Sequence, residues 1–288
     1  MIEIGIVVLN FLTYEDTFES IVSLNKYCNI DNIRVLIVDN KTNEDKYDKL
    51  QKKLGLLELK FKLIFLSSKE NIGFARGMNI GINEAKKNGC TYIVCSNNDI
   101  VYNNEVDFKR LIDIYHEDNS IAVIGPKIFN PNMINQNPYM IKSPFNGRFL
   151  EGIMQKIIFT NVVGKYLFFI RGMIKYILNK NSHLKEKAQN SRFIYCLHGS
   201  FFILTPAYFD YYEELDSYTF LYVEELILAE RVKNQKLKEY YFDGIEVFHK
   251  DDSSTNEMLG KDSLKKTLFI LNENYKSLKY FMKAYIWN

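Results

Sequence analysis

The residue types best suited to chemistry stand in one short run, Ser96-Asn97-Asn98-Asp99, which follows the apolar segment at residues 92–95. A carboxylate with amide oxygens beside it can hold a hard divalent cation such as Mg²⁺ or Mn²⁺ and leave positions open for phosphate oxygens. Such a cation neutralises the negative charge that develops on a departing diphosphate. A plain turn is the alternative, because Asn and Asp are common turn residues. Only Asp99 carries the charge to bind the cation, so we expect Asn97 and Asn98 to support it.

Two more polar residues each follow an apolar, β-branched run. Asn10 comes after residues 4–9, and Asp39 follows the run at residues 34–38. Because the carboxyl ends of parallel strands share one edge of a sheet, where ligands bind, we expect Asn10, Asp39 and Asp99 to lie on the same edge. A lone acid there could accept hydrogen bonds from a pyrimidine base. For Asp39, a helix cap or a turn is the alternative.

A glycine-containing segment, Asn71-Ile72-Gly73-Phe74-Ala75-Arg76-Gly77-Met78-Asn79, predicts a loop that enters a helix. Gly73 permits a close backbone approach, and the start of a helix favours an anionic ligand. The segment is not a GxGxxG motif and no Walker lysine is present, so the sequence gives little support to a dinucleotide site or a P-loop.

Three further titratable residues lie in the C-terminal third of the chain. Glu224 and Glu225 stand at the start of a predicted helix, where the helix dipole stabilises acids. The functional alternative is that one of them takes a proton from an acceptor hydroxyl. His249 follows a predicted strand and is a candidate metal ligand or diphosphate contact, with a purely structural histidine as the alternative.

The elements that must position these residues alternate as strands and helices. Strands are predicted at residues 4–9, 34–40, 62–66, 92–95 and 121–125, and later at 239–242 and 245–248. Helices are predicted after a Thr13 cap, at 45–57, 73–87, 106–116 and 222–233, and over the last thirty residues. This alternation predicts an α/β fold with a mainly parallel, doubly wound sheet flanked by helices.

Composition narrows the class of protein. The 288 residues have 47% hydrophobic and 25% charged side chains, as in a soluble globular domain, and a net charge of +2 argues against a nucleic-acid binder. The 20 Tyr and 21 Phe either fill a bulky core or partly line a groove that stacks on a base or sugar. The four cysteines form no CxxC pair, which predicts buried, reduced thiols. No signal peptide and no spanning helix are expected.

Residues 142–187 differ from the rest of the chain. They carry nine Lys or Arg against two Glu, interleaved with apolar clusters. This pattern suits helices lying on an anionic membrane surface. Ordinary amphipathic helices that cover the sheet are the alternative, and the two interpretations carry equal weight.

The ordered motifs resemble the family 2 glycosyltransferases of the GT-A fold, especially bacterial enzymes that build capsule and O-antigen sugars, including rhamnosyltransferases. The resemblance covers residues 4–99 densely and 195–254 sparsely. The similar pieces are Ile6-Val7-Val8-Leu9-Asn10, Val38-Asp39-Asn40, the segment from Asn71 to Asn79 with Gly81, Asn97-Asn98-Asp99, His198-Gly199-Ser200, Tyr222-Val223-Glu224-Glu225 and His249 with Ser253-Ser254.

This resemblance implies a metal-dependent, inverting transfer of a sugar from a UDP- or dTDP-linked donor to a glycan acceptor, which is typically lipid-linked. Mn²⁺ or Mg²⁺ would be held by Asp99 with help from His249. The implied donor-binding residues are Val8, Asn10, Asp39, Asn71, Gly73, Arg76, Asn79, Asn97 and Asn98. Glu225 is the implied base, with Glu224 as the alternative carboxylate, and His198 and Gly199 lie on the acceptor side.

The resemblance also implies an organisation and a location. We expect a nucleotide-sugar half at residues 1–125, a basic aromatic helical insertion at 126–192, and an acceptor half with C-terminal helices at 193–288. The expected location is the cytoplasm, at the inner face of the plasma membrane if the insertion binds lipid. A homodimer is left open.

Two departures from the family pattern leave rival functions to consider. The usual Asp of the base motif is Glu225 here, and the following "D-L-x-x-R" is Ile227-Leu228-Ala229-Glu230-Arg231, which keeps only the arginine. A degenerate, non-catalytic nucleotide-sugar-binding module is therefore one rival. A sugar nucleotidyltransferase is the other, although residues 10–14 lack the Gly-rich, basic loop expected of that class.

Overall fold

The computed structural model describes residues 4–28, 32–40, 43–143, 164–170, 190–251 and 264–287. Most of the region 142–187 therefore lies outside the described residues, as do Ser253 and Ser254. The described strands are β1 (Ile4–Asn10), β2 (Ile33–Asp39), β3 (Lys62–Ser67), β4 (Tyr92–Asn97), β5 (Ile100–Val101), β6 (Ile121–Phe129), β7 (Arg192–Ile194), β8 (Phe201–Leu204) and β9 (Lys238–His249).

The helices lie between these strands. They are α1 (Tyr14–Tyr27), α2 (Glu44–Gly55), α3 (Phe74–Lys87), α4 (Phe108–Glu117), α5 (Pro206–Phe209), α6 (Glu224–Asn234) and α7 (Leu264–Phe281), followed by a π-helical turn at Met282–Ile286. Residues 164–170 are also helical. None of the described helices combines the length and the apolar character needed to cross a membrane.

One nine-stranded sheet in the described chain joins these elements in the order β3-β2-β1-β4-β8-β6-β9-β5, with β7 also paired to β9. Strands β1, β2, β3, β4, β6 and β9 run in one direction and β5, β7 and β8 in the other. The predicted mainly parallel, mixed α/β sheet is confirmed. Strand β6 continues across the boundary expected at residue 125, so residues before and after it share the sheet.

The strand sequences explain why both faces of the sheet are covered. Successive side chains on a strand point to opposite faces, so a continuous apolar run needs a packing layer on each side. Ile6 and Val35 pack with α1, α2 and α4 in one core cluster. Val7 and Leu36 pack with α3 in the other. A third cluster joins α6, α7 and the helix at 164–170.

Two local predictions were wrong. The short strands expected at 239–242 and 245–248 form one strand, β9, because pairing with β6 continues on both sides of Gly244. Thr13 stands at the N-cap position of α1, but its side chain makes no capping hydrogen bond. Its hydroxyl instead accepts a bond from the Asn98 amide, 2.8 Å away. The buried, reduced cysteines are confirmed, since all four are free and buried.

Candidate active site

The carboxyl ends of the central strands bring the predicted polar residues to one edge. Asn10 and Asp39 end β1 and β2 and are paired partners in the sheet register. Asp99 follows the end of β4, the other neighbour of β1. The expectation that Asn10, Asp39 and Asp99 share one edge is met by the sheet topology.

Asn10 and Asp39 are joined by a buried hydrogen bond. The Asn10 Nδ2 donates to Asp39 Oδ1 over 2.6 Å, and the Tyr14 hydroxyl donates to Asp39 Oδ2 over 3.2 Å. Tyr14 in turn accepts a bond from the Asn43 backbone N–H at 3.1 Å. These two donors hold the carboxylate in one orientation.

Asn98 holds the β1–α1 loop to β4. Its Nδ2 lies 3.0 Å from Asn10 Oδ1, 2.9 Å from the Thr13 carbonyl oxygen and 3.0 Å from Thr17 Oγ1. Asn98 is buried, so its amide is engaged within the protein. Asn97 is half-buried and its backbone N–H donates to the Ser200 carbonyl at 2.8 Å. Both asparagines therefore fix the backbone on which Asp99 stands.

Asp99 has a buried oxygen with no hydrogen bond. Its Oδ1 finds no hydrogen-bond partner among the described residues and lies 3.3 Å from His249 Nε2. The other ring nitrogen of His249, Nδ1, is 2.9 Å from Gln136 Oε1, which fixes the orientation of the imidazole. Both Asp99 and His249 are about 5% exposed. A protonated imidazole would pair with this oxygen; beside a neutral one, the buried carboxylate needs a cation or another donor.

These two side chains fit a hard divalent cation. Carboxylate oxygen and imidazole nitrogen both ligate Mn²⁺, and a nucleotide-binding ion takes few protein ligands because phosphate oxygens and water fill the rest. The described residues contain no cluster of three or more His, Cys, Asp or Glu side chains arranged to hold a metal.

The loop before α3 is locked by Asn40, the residue after Asp39. The Asn40 Nδ2 donates to Asn71 Oδ1 and to the Gly73 carbonyl, each at 3.0 Å, and its Oδ1 accepts from the Ile72 N–H at 3.1 Å. Gly73 has φ +92°, and a Cβ there would lie 2.4 Å from the Phe220 carbonyl oxygen. The close backbone approach expected at Gly73 is therefore made by Phe220, whose oxygen also accepts the Phe74 N–H.

Three of the predicted donor-binding residues lie apart from this edge or are engaged elsewhere. Val8 is buried in the core cluster of the α1 face. Asn79 uses both amide atoms on the Leu215 backbone, at 2.9 Å each. Arg76 is exposed and donates through Nε to the Ser217 carbonyl. In this structure Asn79 and Arg76 attach α3 to the segment 215–217.

Glu224 and Glu225 begin α6 and face the loop at residues 197–199. A Cβ on Gly199 would lie 2.8 Å from Glu225 Oε1, so only glycine lets the carboxylate come this close. The two carboxylates line a cavity together with Phe74, Leu197, His198, Phe202, Tyr208, Asp216 and Arg231.

Burial changes the proton affinity of both carboxylates. Burial and the nearby Glu225 raise the pKa of Glu224 to about 8, and one of its oxygens has no hydrogen-bond partner among the described residues. Burial also raises the pKa of Glu225, while the backbone N–H of Gly199 opposes the shift by hydrogen-bonding the carboxylate. The backbone N–H of each glutamate favours the ionised form of its own carboxylate, and Glu225 has the Gly199 N–H as a second such donor.

His198 connects the two parts of the site. Its ring centroid lies 5.7 Å from that of His249 and 6.1 Å from that of Tyr139. Its Nδ1 is 2.9 Å from Ser200 Oγ. Gly199, the next residue, contacts Glu225. One short loop therefore touches both the Asp99–His249 pair and the α6 carboxylates.

Sequence reasoning missed several residues that shape the site. Tyr14 hydrogen-bonds Asp39, and Gln136 hydrogen-bonds His249. Glu239 accepts a hydrogen bond from the 197–199 loop. Tyr14 lies four residues after Asn10, at the start of a predicted helix. Only that position in the sequence could have indicated that it lies near Asn10 and Asp39. Gln136 and Glu239 reach the site through tertiary packing, which no local pattern encodes.

Comparison with known proteins identifies the family. Residues 6–178, more than half of the chain, match Glycosyl transferase family 2. The chain belongs to this family. The match includes Asn10, Asp39 and Asp99 and ends before α6, so it does not cover Glu225 or His249. No curated protein sequence matches the chain.

Solved structures show that this family 2 chain has the GT-A glycosyltransferase fold. A crystal structure of GalNAc-T7 with UDP, GalNAc and Mn²⁺ has a TM-score of 0.57 and 11% identity, over 98% of this chain and 50% of that one. S. aureus TarS 1-349 has a TM-score of 0.53 and 13% identity, over 98% and 73%. The same TarS region in complex with UDP has a TM-score of 0.53 and 12% identity, over 98% and 72%. The chain thus spans half the length of GalNAc-T7.

Proposed function

We propose that this protein is a metal-dependent, inverting glycosyltransferase. It moves a sugar from a UDP- or dTDP-linked donor to a hydroxyl of a glycan acceptor, lipid-linked, in the synthesis of a bacterial surface polysaccharide. The observation that carries this proposal is the buried Oδ1 of Asp99, which has no hydrogen-bond partner among the described residues and faces His249 Nε2 at 3.3 Å. This oxygen lies at the same strand-end edge as Asn10 and Asp39.

The nucleotide half of the donor fits the Asn10–Asp39 side of the edge. Asp39 is fixed by Asn10 and Tyr14 and can accept the N–H of a pyrimidine base. The loop from Asn71 to Gly73, clamped by Asn40, lies beside it.

The divalent ion would be held by Asp99 and His249 against the donor diphosphate. When bound, Mn²⁺ or Mg²⁺ would neutralise the charge on the departing nucleoside diphosphate. This lowers the free energy of the transition state by roughly several kcal/mol. Asn97 and Asn98 hold the backbone that carries Asp99, and Gln136 orients the His249 ring.

Glu225 acts as the base. Its carboxylate takes the proton from the acceptor hydroxyl as the hydroxyl oxygen bonds to the anomeric carbon and the bond to the diphosphate breaks. The Gly199 N–H keeps the ionised form accessible. Glu224, with its pKa raised to about 8, is mostly protonated at neutral pH and does not compete for this proton.

Two structural neighbours support the donor and the ion in this proposal. The GalNAc-T7 structure contains UDP, GalNAc and Mn²⁺, and a TarS structure contains UDP. We extend to this chain the use of a nucleoside-diphosphate sugar and a divalent ion, and we leave the particular sugar to experiment.

An anionic membrane surface is the proposed second partner, at the cytoplasmic face of the plasma membrane. The helix at 164–170 packs Phe168 and Phe169 on Tyr275 of α7. It leaves Tyr166, Leu167 and Ile170 more than half exposed beside the exposed Lys165. Apolar side chains next to a lysine suit an interfacial helix.

Nucleotide release from UDP- and dTDP-sugars tests the transfer proposal. The protein is incubated with each donor, with Mn²⁺ or with a chelator, and free nucleoside diphosphate is measured. We expect slow release that requires Mn²⁺, with water as the acceptor. Equal release in the presence of the chelator would remove the metal from the proposal, and no release from any donor would favour a non-catalytic module.

A further inference from the structure

The loop at residues 197–199 is held by three different side chains. The Leu197 N–H donates to Glu239 Oε2 at 2.7 Å, and the His198 N–H donates to Asn137 Oδ1 at 2.8 Å. The Gly199 N–H bonds the Glu225 carboxylate. Two of the three acceptors are glutamates that come from different elements, β9 and α6. Glu239 and Glu225 therefore accept hydrogen bonds from two backbone N–H groups of the loop, at Leu197 and Gly199.

Glu239 stands in an unusual place for an acid. It lies within the sheet on β9, paired with Val123 of β6 and Ile194 of β7, and it is 2% exposed. Its Oε1 has no hydrogen-bond partner among the described residues. A glutamine could accept the Leu197 N–H equally well without placing a carboxylate in the core. The fold alone therefore does not account for the acid.

We propose that Glu239 is a positioning residue for Glu225: it holds the 197–199 loop in place and is coupled to the charge of the base. The inference rests on the proposed role of Glu225. Glu239 touches no reacting atom; it acts on the base through the loop.

The charges around Glu225 define what Glu239 can do. Glu224 lies beside it on α6, Tyr139 faces it from the segment that follows β6, and His198 comes from the 197–199 loop. Asp216 and Arg231 line the same cavity. Burial raises the pKa of Glu239 to about 8, with the Leu197 N–H opposing the shift and Glu225 adding to it. Glu239 is therefore mostly protonated at neutral pH, and the charge of Glu225 helps to keep it so.

Thermal unfolding tests this coupling without any substrate. Because the folded-state pKa of Glu239 lies above the ordinary 4.5, its contribution falls as pH rises from about 4.5 to about 8. Glu239→Gln should therefore melt above the wild type by a margin that grows between these pH values. In a Glu225→Gln background this margin should shrink, because one of the repelling charges is gone. An equal margin in both backgrounds would overturn the coupling.

Glu230→Gln is the matched control. Glu230 is also buried and lies on α6, but it bonds Tyr195 and Lys233 instead of the loop. Its effect on the melting temperature should be the same with and without Glu225→Gln. If Glu230→Gln shows the same dependence on Glu225, the coupling is general to buried acids and the proposal fails.

Donor turnover tests the consequence for the base. With Mn²⁺ and a UDP- or dTDP-sugar that the wild type hydrolyses, Glu239→Gln should keep the acidic limb of kcat/KM and stay within about twofold of the wild-type turnover, because glutamine also accepts the Leu197 N–H and Glu239 is itself protonated on that limb. Glu239→Leu, which removes the acceptor for Leu197, should lower kcat at every pH. Equal turnover in Glu239→Leu and Glu239→Gln would overturn the proposal. If the wild type hydrolyses no donor, the proposed transfer fails, while the unfolding experiment still decides the Glu225–Glu239 coupling.

Discussion

The polar residues of the candidate site are of two kinds. Some hold neighbouring segments together through side-chain hydrogen bonds, and others keep a buried oxygen without a hydrogen-bond partner among the described residues. The side-chain amides of Asn10, Asn40 and Asn98 donate hydrogen bonds to neighbouring protein groups. Asp99 and Glu224 each keep a buried oxygen without a hydrogen-bond partner among the described residues. Leaving such a group unpaired costs about 1–3 kcal/mol, so these oxygens mark where a ligand or ion contributes most.

Glu225→Gln tests the choice of base. The glutamine keeps the size of the side chain but cannot accept a proton, so we expect transfer or donor hydrolysis to fall by about 10²–10⁴-fold. Donor binding should be nearly unchanged, since the donor contacts lie on the β1 and β2 side. In the wild type, turnover should fall as pH drops through the raised pKa of Glu225, above the ordinary value of 4.5. Steady-state rates against pH and equilibrium binding of UDP check both parts.

Glu224→Gln serves as the comparison. This carboxylate is mostly protonated at neutral pH, because its pKa is about 8, and the variant should retain most of its activity. If Glu224→Gln is inactive and Glu225→Gln is active, the base has been assigned to the wrong residue.

Much of the candidate site could be predicted from residue types at strand ends. Asn10, Asp39 and Asp99 were found because parallel strands end on a common edge, a rule that needs only the order of elements. Glu239 and Gln136 could not be found this way. Each reaches the site from a distant segment through packing, and an alternating stretch such as Lys238-Glu239-Tyr240 does not tell which side chain is buried.

Among the elements, the segment before α6 connects the two halves of the site. Phe220 packs its carbonyl against Gly73 and accepts the Phe74 N–H at 3.0 Å. Tyr222 and Val223 then adopt φ +70° and +74°, and Glu224 starts α6. A left-handed conformation costs a non-glycine residue on the order of 1–2 kcal/mol. Packing around Tyr222 and Val223 offsets this cost. It holds the first turn of α6, with Glu224 and Glu225, in one position.

Gly73→Ala tests this contact. An added Cβ would meet the Phe220 carbonyl at 2.4 Å in a backbone conformation with φ +92°, so both segments must shift. We expect the free energy of unfolding to fall by more than about 1 kcal/mol, and donor turnover to fall with it. Urea unfolding measures the first effect, and nucleotide release measures the second.

Gly55→Ala is its matched control. Gly55 ends α2, and a Cβ there meets nothing within 4 Å. Alanine is the better helix former by about 0.5–1 kcal/mol, so this variant should be as stable as the wild type or more so. A Gly73→Ala variant as stable as Gly55→Ala would show that the Phe220 contact is not needed.

The elements themselves were largely predictable, because buried parallel strands appear as continuous apolar runs and helices as spaced ones. Strand β9 shows where this rule stops. Gly244 divides its sequence into two apparent strands, yet pairing with β6 on both sides keeps it whole. The Thr13 hydroxyl likewise bonds Asn98, 85 residues away, instead of capping its own helix.

For the whole molecule, one sheet carries both halves of the candidate site. Asp99 follows β4, and His249 ends β9, three strands further along the sheet order. Strand β5 pairs Ile100 with His249, which brings Asp99 and His249 together. The helix at 164–170 and α7 lie against α6 in a separate cluster. This arrangement gives the molecule an apolar surface whose exposed residues include Leu167 and Ile170.

Vesicle binding tests that surface. The protein should bind vesicles that contain phosphatidylserine at low salt, bind neutral vesicles less, and release as salt screens the attraction. Leu167→Asp places a charge on the exposed apolar face and should weaken binding. Leu56→Asp, at an 87% exposed leucine beyond α2, should not. Co-sedimentation with the vesicles measures the binding of each variant. Equal binding by Leu167→Asp and Leu56→Asp would contradict the proposal that the surface at Leu167 and Ile170 contacts the membrane.

The most direct measurement of the central claim is the stabilisation of the protein by nucleoside diphosphates, with and without Mn²⁺, in the wild type and in Asp99→Asn. A bound ligand raises the melting temperature by mass action. We predict that UDP or dTDP stabilises the wild type more when Mn²⁺ is present and that Asp99→Asn loses this Mn²⁺-dependent part. Asp210→Asn, at an exposed aspartate after α5, should behave as the wild type. Stabilisation by the nucleotide that is the same with and without Mn²⁺, or unchanged in Asp99→Asn, would contradict the claim that Asp99 holds a metal ion on a nucleotide sugar.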